Sequence, residues 1–345
     1  MKLQDLLHIE LPIIQAPMAG VQGSALTIAV SNAGGLGSLP CAMLSPDKLK
    51  LELEAIKAHT DKPYNLNFFC HPSPKPNAER EAVWRKTLSP YYQELGIDPG
   101  KIAEGPGRAP FTEEIADLIA PYAPPVVSFH FGLPSPELLE RVKSWGATVL
   151  SSATTVEEAK WLEANGADII IAQGLEAGGH RGMFLTEDVT SQIGTLALVP
   201  QIVEAVNLPV IAAGGIADAQ GVSAVLTLGA IAAQIGTGYM LCPEAATSAL
   251  HRTAIKSQHA RHTALTNLFS GRPARGIVNR IMRELGPIST APSPFPFAAA
   301  AMLPLRTEAE AGGLDGFSSL WCGQNARGCK EIPAGELTRQ LASDF

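Results

Sequence analysis

The chain has 345 residues, 46% hydrophobic and 17% charged, with 26 basic against 33 acidic side chains and a net charge of −7. That length can bury one large core or two modest ones. The acidic balance and the 6% aromatic content argue against nucleic acid, which asks for basic grooves and stacking surfaces. Cys41, Cys70, Cys242, Cys322 and Cys329 form no C-x-x-C and no His pairing at metal spacing, which suggests reduced thiols in a cytoplasmic setting and no metal site.

The start reaches Asp5 at once and is broken by Pro12 and Pro17, so it does not read as a signal peptide. Apolar, β-rich runs then alternate with amphipathic stretches. Strands are expected at Ile13–Gln15, Gly35–Leu39 and Tyr64–Phe69, with helices at Gly23–Asn32 and Pro46–His59. Residues 71–125 open on HPSPKP, pass through helix-like sequence and read as a long insertion. Strands at Val126–Phe131, Thr148–Ser152, Asp168–Gln173, Pro209–Ala213 and Ala232–Gly236 follow. Helices are expected at Pro136–Trp145, Thr155–Asn165, Leu196–Val206 and Ala219–Leu228, with Gly or Asn near their ends as stop signals. The run Val222–Leu241 has the length of a membrane span, but Thr227, Gln234, Gly236 and Thr237 divide it into a helix end and a strand, so no membrane is expected. Residues 245–285 are helical in pattern and lead into a Pro-rich stretch to Phe297. A helix over Ala298–Ala311 then returns to the main body.

Eight strand–helix units fit an α/β fold of the closed (β/α)8 TIM-barrel type better than an open doubly wound sheet. The division expected is a barrel of residues 1–244 and 298–345 with a small helical lid or substrate domain at 245–297. A dinucleotide fingerprint after the first strand is absent, since QAPMAG (Gln15 to Gly20) stands there.

In such a barrel the C-terminal strand ends build the site. They carry Gln15, Met18, Asn67, His130, Ser151, Ser152, Gln173, the GGH loop Gly178 to His180, Gly214, Gly215, and Gln234, Ile235, Gly236 and Thr237. Amides and glycines dominate. No acid pair could run glycosidase chemistry, no acid and His set could hold a catalytic metal, and no nucleophile elbow is present. Neutral amides with two glycine turns after the seventh and eighth strands suit a neutral heterocycle with a phosphate tail, and FMN fits that description. Plain explanations stand beside this one: Gln173 and Gln234 as buried amides, Asn67 as a strand-end cap, the glycines as turns. His130 points either into the site or into the barrel wall, and His71, in its Pro-rich loop, reads as solvated.

The segments QAPMAG, NLNFF (65–69), EAGGHRG (176–182), AGGI (213–216), QIGT (234–237), FSGRPARG (269–276) and LWCGQ (320–324) resemble, in order and at matching spacing nearly end to end, the class I branch of the nitronate monooxygenase family, formerly 2-nitropropane dioxygenases. That resemblance implies FMN contacted by Met18, Asn67, Gln173, Gly178, Gly215, Gln234, Ile235, Gly236 and Thr237. It makes His180 the catalytic residue that bonds the substrate's nitro group or acts as base. The implied reaction is oxidation of an alkyl nitronate, propionate 3-nitronate above all, by O2 through a flavin semiquinone to a carbonyl compound and nitrite or nitrate. Tyr239, Cys242 and Cys322 depart from the small residues common at those places and bear on substrate shape. A monomer or homodimer is expected.

The same barrel could instead serve an FMN-dependent NAD(P)H enoyl-thioester or quinone reductase, or a non-enzymatic flavin sensor. An IMP-dehydrogenase-like barrel needs a Cys in the loop that 173–186 does not supply. One further pattern stands out. Residues 245–283 hold Arg252, Lys256, Arg261, Arg272, Arg275, Arg280 and Arg283 and no acid, which suggests that Arg272 or Arg275 faces the flavin and attracts an anionic substrate.

Overall fold

Ser45, Ser135, Thr155 and Asp218 each cap a helix by accepting a hydrogen bond from the amide three residues on. Between those helices run short strands that are buried along nearly their whole length, as parallel strands covered by helices must be. A computed structural model describes residues 3–72, 74–102 and 109–345; Met1, Lys2, and Ser73 and 103–108 of the expected insertion, lie outside the described residues.

In chain order the strands are β1 (Ile13–Gln15), β2 (Gly37–Pro40), β3 (Tyr64–Phe69), β4 (Val126–His130), β5 (Thr148–Ala153), β6 (Ile169–Gln173), β7 (Gly179–His180), β8 (Val210–Ala213), β9 (Ala232–Ile235), β10 (Thr263–Thr266) and β11 (Ala274–Ile277). Eight of them pair in parallel in the order β1-β9-β8-β6-β5-β4-β3-β2. A parallel bridge between Ile14 and Leu36, with Gln15 N donating to Leu36 O at 2.9 Å, joins the two ends and closes the barrel. The (β/α)8 expectation holds, and the strands lie within two residues of where the apolar runs put them.

Helices Ser24–Asn32, Pro46–His59, Glu113–Ile119, Pro136–Ser144, Val156–Ala164, Thr195–Ala205 and Ala219–Thr227 lie outside the strands. Glu113–Ile119 falls inside the expected insertion, yet it packs on the neighbouring outer helices as a regular member of the ring. The eighth outer helix is Ala334–Leu341, packed against Ser24–Asn32 and Ala219–Thr227 and separated from its own strand by about a hundred residues. Val222–Leu241 divides, as expected, between a helix end and β9. Among the described residues no helix is long and apolar enough to cross a membrane.

A second apolar cluster lies outside the barrel. It joins Trp84, Leu88 and Tyr92 of helix Ala78–Glu94 to Leu268, Phe269, Ile281 and Met282 of the 245–297 segment and to Ala298, Met302 and Leu305. The helix Ala298–Ala311 forms at the expected residues, but its buried face joins this cluster, with Trp84 Nε1 and Tyr92 Oη donating to the Ala298 and Ala301 carbonyls. Nor is 245–297 all helical. Between helices Ala249–Lys256 and Arg280–Leu285 it folds into the β10–β11 hairpin, whose β11 pairs antiparallel with β7. That pairing ties the segment to the loop after β6.

Candidate active site

The barrel's C-terminal mouth opens into a cavity of about 1350 Å³, its open solvent included. Met18, Asn67, Gln173, Gly178, His180, Gly215, Gln234, Gly236 and Thr237 all line it; Ile235 does not, because its side chain is buried in the core. Among the described residues the lining contains no Asp, Glu, Lys or Arg.

Each wall has a local cause. Asn67, at the end of β3, donates Nδ2 to Ser128 Oγ at 2.9 Å, so β4 holds it. Below it Asn65 bridges Ser38 and Ser128, and Gln15 Oε1 accepts from Ser38 N, making a polar layer inside the barrel. Met18 is set by its amide, which donates to Gln22 Oε1 at 2.9 Å. Gln234 Oε1 is buried, lines the cavity and has no hydrogen-bond partner. A buried amide oxygen left so is costly unless something else donates to it.

Glycine is obligatory at two places. Gly214 and Gly215 have φ of +117° and +74°, which aims the turn after β8 at the cavity in a way a side-chain-bearing residue resists. At Gly178 a Cβ would lie 2.5 Å from Gly323 N and 2.7 Å from Cys322 C, so the tail can seat there only against a bare backbone. That tail is pinned by Gly323 N to Thr237 Oγ1 (2.9 Å), Gln324 N to Glu176 O (3.0 Å) and Asn325 Nδ2 to Gly215 O (2.9 Å). Among the hydrogen bonds of the described residues, none uses the amide of Gly215, Gly236 or Thr237.

The His180 loop is fixed from both sides. Gln173 donates Nε2 to His180 O at 3.0 Å and accepts from Gly182 N at 2.7 Å. Arg181, fully buried, donates to Gln173 O, Gly174 O and Gln192 Oε1 at 2.7–2.8 Å; burial, then the nearby Arg275 charge, lowers its pKa to about 9. His130 faces the site: burial lowers its pKa to about 4 despite its bond to His180 O, so the ring is neutral at pH 7. A carbonyl only accepts, so Nε2–H donates to His180 O (3.2 Å) and Nδ1 accepts from Ser152 Oγ (3.0 Å). His180 itself places Nε2 2.9 Å from Ser270 Oγ, at the start of the turn before β11. Trp321, beside it at 5.5 Å between rings, is anchored by His251 Nε2–H donating to its carbonyl at 3.1 Å; burial lowers His251 to about 4 as well.

Sequence reasoning missed Ser128, Gln22 and Asn325; Ser152 was named at a strand end and Trp321 lay in a quoted motif, both without a role. Ser270 sat in a quoted motif without a role. His71 is a correction: it is 2% exposed and packs edge-on against Phe295 at 4.8 Å.

The cation expectation is corrected too. Neither Arg272 nor Arg275 lines the cavity. Arg272 donates Nη2 to Met183 O and lies over the Phe131 ring at 4.0 Å, while Arg275 bonds Leu175 O and Thr263. Arg252 gathers the carbonyls of Leu241, Cys242, Ala245 and Thr247. Lys256 pairs with Glu331, and Arg280 with Glu94 and Glu284. The five thiols are free, and burial raises each above its usual range.

A closed (β/α)8 barrel whose mouth is walled by amides and glycines around a fixed loop His defines a barrel protein with a ligand cavity at its strand ends. The profile of the nitronate monooxygenase family matches residues 1–344. The chain is 43% identical to a nitronate monooxygenase of Pseudomonas aeruginosa over 99% of this chain and 97% of that one, and 42% identical to one of Paraburkholderia phytofirmans over 99% and 94%. Its structure matches the nitroalkane oxidase of Streptomyces ansochromogenes with a TM-score of 0.90 at 38% identity, covering 99% and 96%; FabK of Thermotoga maritima is more distant, at 0.73 and 27% over 99% and 94%. The chain belongs to the nitronate monooxygenase family, whose members are flavin-dependent oxidoreductases acting on nitronates.

Proposed function

We propose that the chain holds FMN in this cavity and oxidises alkyl nitronates with O2 to a carbonyl compound and nitrite or nitrate. The observation that carries this reading is Gln234 Oε1, a buried acceptor without a donor on the wall of a cavity that, among the described residues, has no carboxylate or cation in its lining. A heterocyclic ring N–H meets that need. The unengaged amides of Gly215, Gly236 and Thr237 suit phosphate oxygens. Met18, Asn67, Gln173 and Gly178 complete the holding set, and Ile235 contributes backbone position only. The residues therefore fit FMN, which when bound supplies the electron transfer to O2 that these side chains lack.

His180 handles the proton. Its ring is presented to the cavity by Ser270, and its backbone is locked by Gln173 and His130. A neutral imidazole there takes the proton on the carbon bearing a nitro group, or bonds the oxygens of a preformed nitronate. Residues 245–297 act as the lid that brings Ser270 to it. Acid precipitation should release flavin that runs as FMN, and O2 uptake should follow addition of propionate 3-nitronate or an alkyl nitronate. A colourless protein that takes up no FMN on incubation overturns the cofactor. NADH oxidation with an enoyl thioester or quinone, and none of the nitronate activity, favours the reductase alternative.

A further inference from the structure

We infer that this site selects nitronates with uncharged, apolar tails over those ending in a carboxylate, an inference that rests on the nitronate-oxidising reading above. Phe69, Phe131 and Phe295 form a buried cluster with Ala42 packed against it. The His180 ring lies 6.3 Å from Phe69, 6.1 Å from Phe131, 5.6 Å from Phe295 and 5.5 Å from Trp321, centroid to centroid. Of these rings Phe69 and Trp321 line the cavity, with Phe131 and Phe295 packed behind Phe69, so a nitronate head held at His180 leaves its tail beside aromatic faces.

An apolar tail gains by leaving water in such a place. A carboxylate tail loses its hydration and finds no cation or N–H fork among the described lining residues, and an unpaired buried charge is costly. The two guanidiniums on the same hairpin do not repair this. Arg275 is buried and turned to Leu175 O and Thr263. Arg272 is stacked on Phe131 and bonded to Met183 O; its Nε lacks a partner, but the residue stands outside the cavity wall.

The test compares two nitronates of one shape: propionate 3-nitronate and the nitronate of 3-methyl-1-nitrobutane, in which two methyls replace the two carboxylate oxygens. With flavin-loaded enzyme and O2 uptake as readout, kcat/KM for the branched alkyl nitronate should exceed that for propionate 3-nitronate by ~10-fold or more. Equal values, or a preference for the carboxylate that disappears in Arg272→Met, overturn the inference while leaving nitronate oxidation intact. Turnover of neither substrate sinks the parent reading and this one with it. Ala42→Lys places a cation on the cavity wall beside the rings and should move the ratio at least ~10-fold toward propionate 3-nitronate. A ratio is independent of how much of the variant folds, so an unmoved ratio also counts against the assigned tail position. Calorimetric titration of the carbon-protonated nitro forms, the carboxylate 3-nitropropionate against uncharged 3-methyl-1-nitrobutane, should show the same order without turnover.

Discussion

Gly178 and Gly179 are neighbours whose replacement by alanine should fail for different reasons. At Gly178 the added methyl meets Gly323 N at 2.5 Å and Cys322 C at 2.7 Å, whereas at Gly179, with φ at +73°, nothing lies within 4 Å. Ordinary contact begins at roughly 3.4 Å, so the tail must retreat by about 0.9 Å. The three bonds that pin it, from Gly323, Gln324 and Asn325, do not survive such a shift intact. Overpacking costs ~1–3 kcal/mol and each of the three weakened bonds ~0.5–1.5 kcal/mol, giving about 2.5–7.5 kcal/mol for Gly178→Ala. Gly179→Ala carries only left-handed backbone strain, ~1–2 kcal/mol. At roughly 1.4 °C per kcal/mol for a chain of 345 residues, the melting points should fall by ~4–10 °C and ~1–3 °C. Because Thr237 and Gly215 are the tail's partners, Gly178→Ala should also lose flavin on gel filtration and Gly179→Ala should keep it. Scanning calorimetry and the 450 nm absorbance of the eluted protein check both. If Gly178→Ala melts within 1 °C of the parent and stays yellow, the tail does not seat against this loop and the reasoning fails.

His180→Asn should retain flavin and lower turnover of a neutral nitroalkane by ~100-fold or more, with a smaller loss on a preformed nitronate; wild-type rates on the neutral form would remove His180 as base. Ser270→Ala should raise KM little and lower kcat, since Ser270 orients His180 without lining the cavity, and Ser270→Thr should restore part of it. His130 and His251 have folded-state values of about 4 against an ordinary 6.5. The unfolded chain therefore binds more protons between pH 4 and 6.5, and stability, complete above about pH 6.5, should fall on acidification by up to ~1.4 kcal/mol per pH unit for each group. Urea unfolding at pH 5.0 and 7.0 measures it, and His251→Gln should flatten the slope.

The barrel was legible because its signals are local. Runs such as IIIAQ and VIAA are what a strand buried on both faces requires, and Ser45 before Pro46 or Thr155 before a Glu pair announces a helix start by itself. What stayed hidden depends on partners far away in the chain. Thr263–Thr266 and Ala274–Ile277 contain Ala, Arg and Gly and carry no strand pattern; they are strands because β11 finds β7 almost a hundred residues earlier. His71 reads as a loop residue until Phe295 closes over it. Ser270 has no signal of its own, and only the hairpin's docking brings it to His180. The glycines and strand-end amides were found because barrel topology sends strand ends to one face, so a local reading carries global position.

The misplaced cations show the opposite case. A one-sided run of charge invites a search for an anion, yet a folded chain contains a larger supply of acceptors than any ligand brings: its own carbonyls. Arg181 needs no carboxylate because two strand-end carbonyls and Gln192 Oε1 take its fork. Arg252 does the same for four carbonyls around the turn after β9, and Arg275 for Leu175 and Thr263. In each case a guanidinium satisfies irregular backbone where barrel loops leave the regular ladder. In the 245–297 segment Arg252 and Arg275 thus serve irregular, packed backbone, while Lys256 and Arg280 pair with Glu331, Glu94 and Glu284. Among the described residues the wall of the cavity beside it carries no Asp, Glu, Lys or Arg, and on the inference drawn above that wall, more than any single side chain, sorts the nitronates.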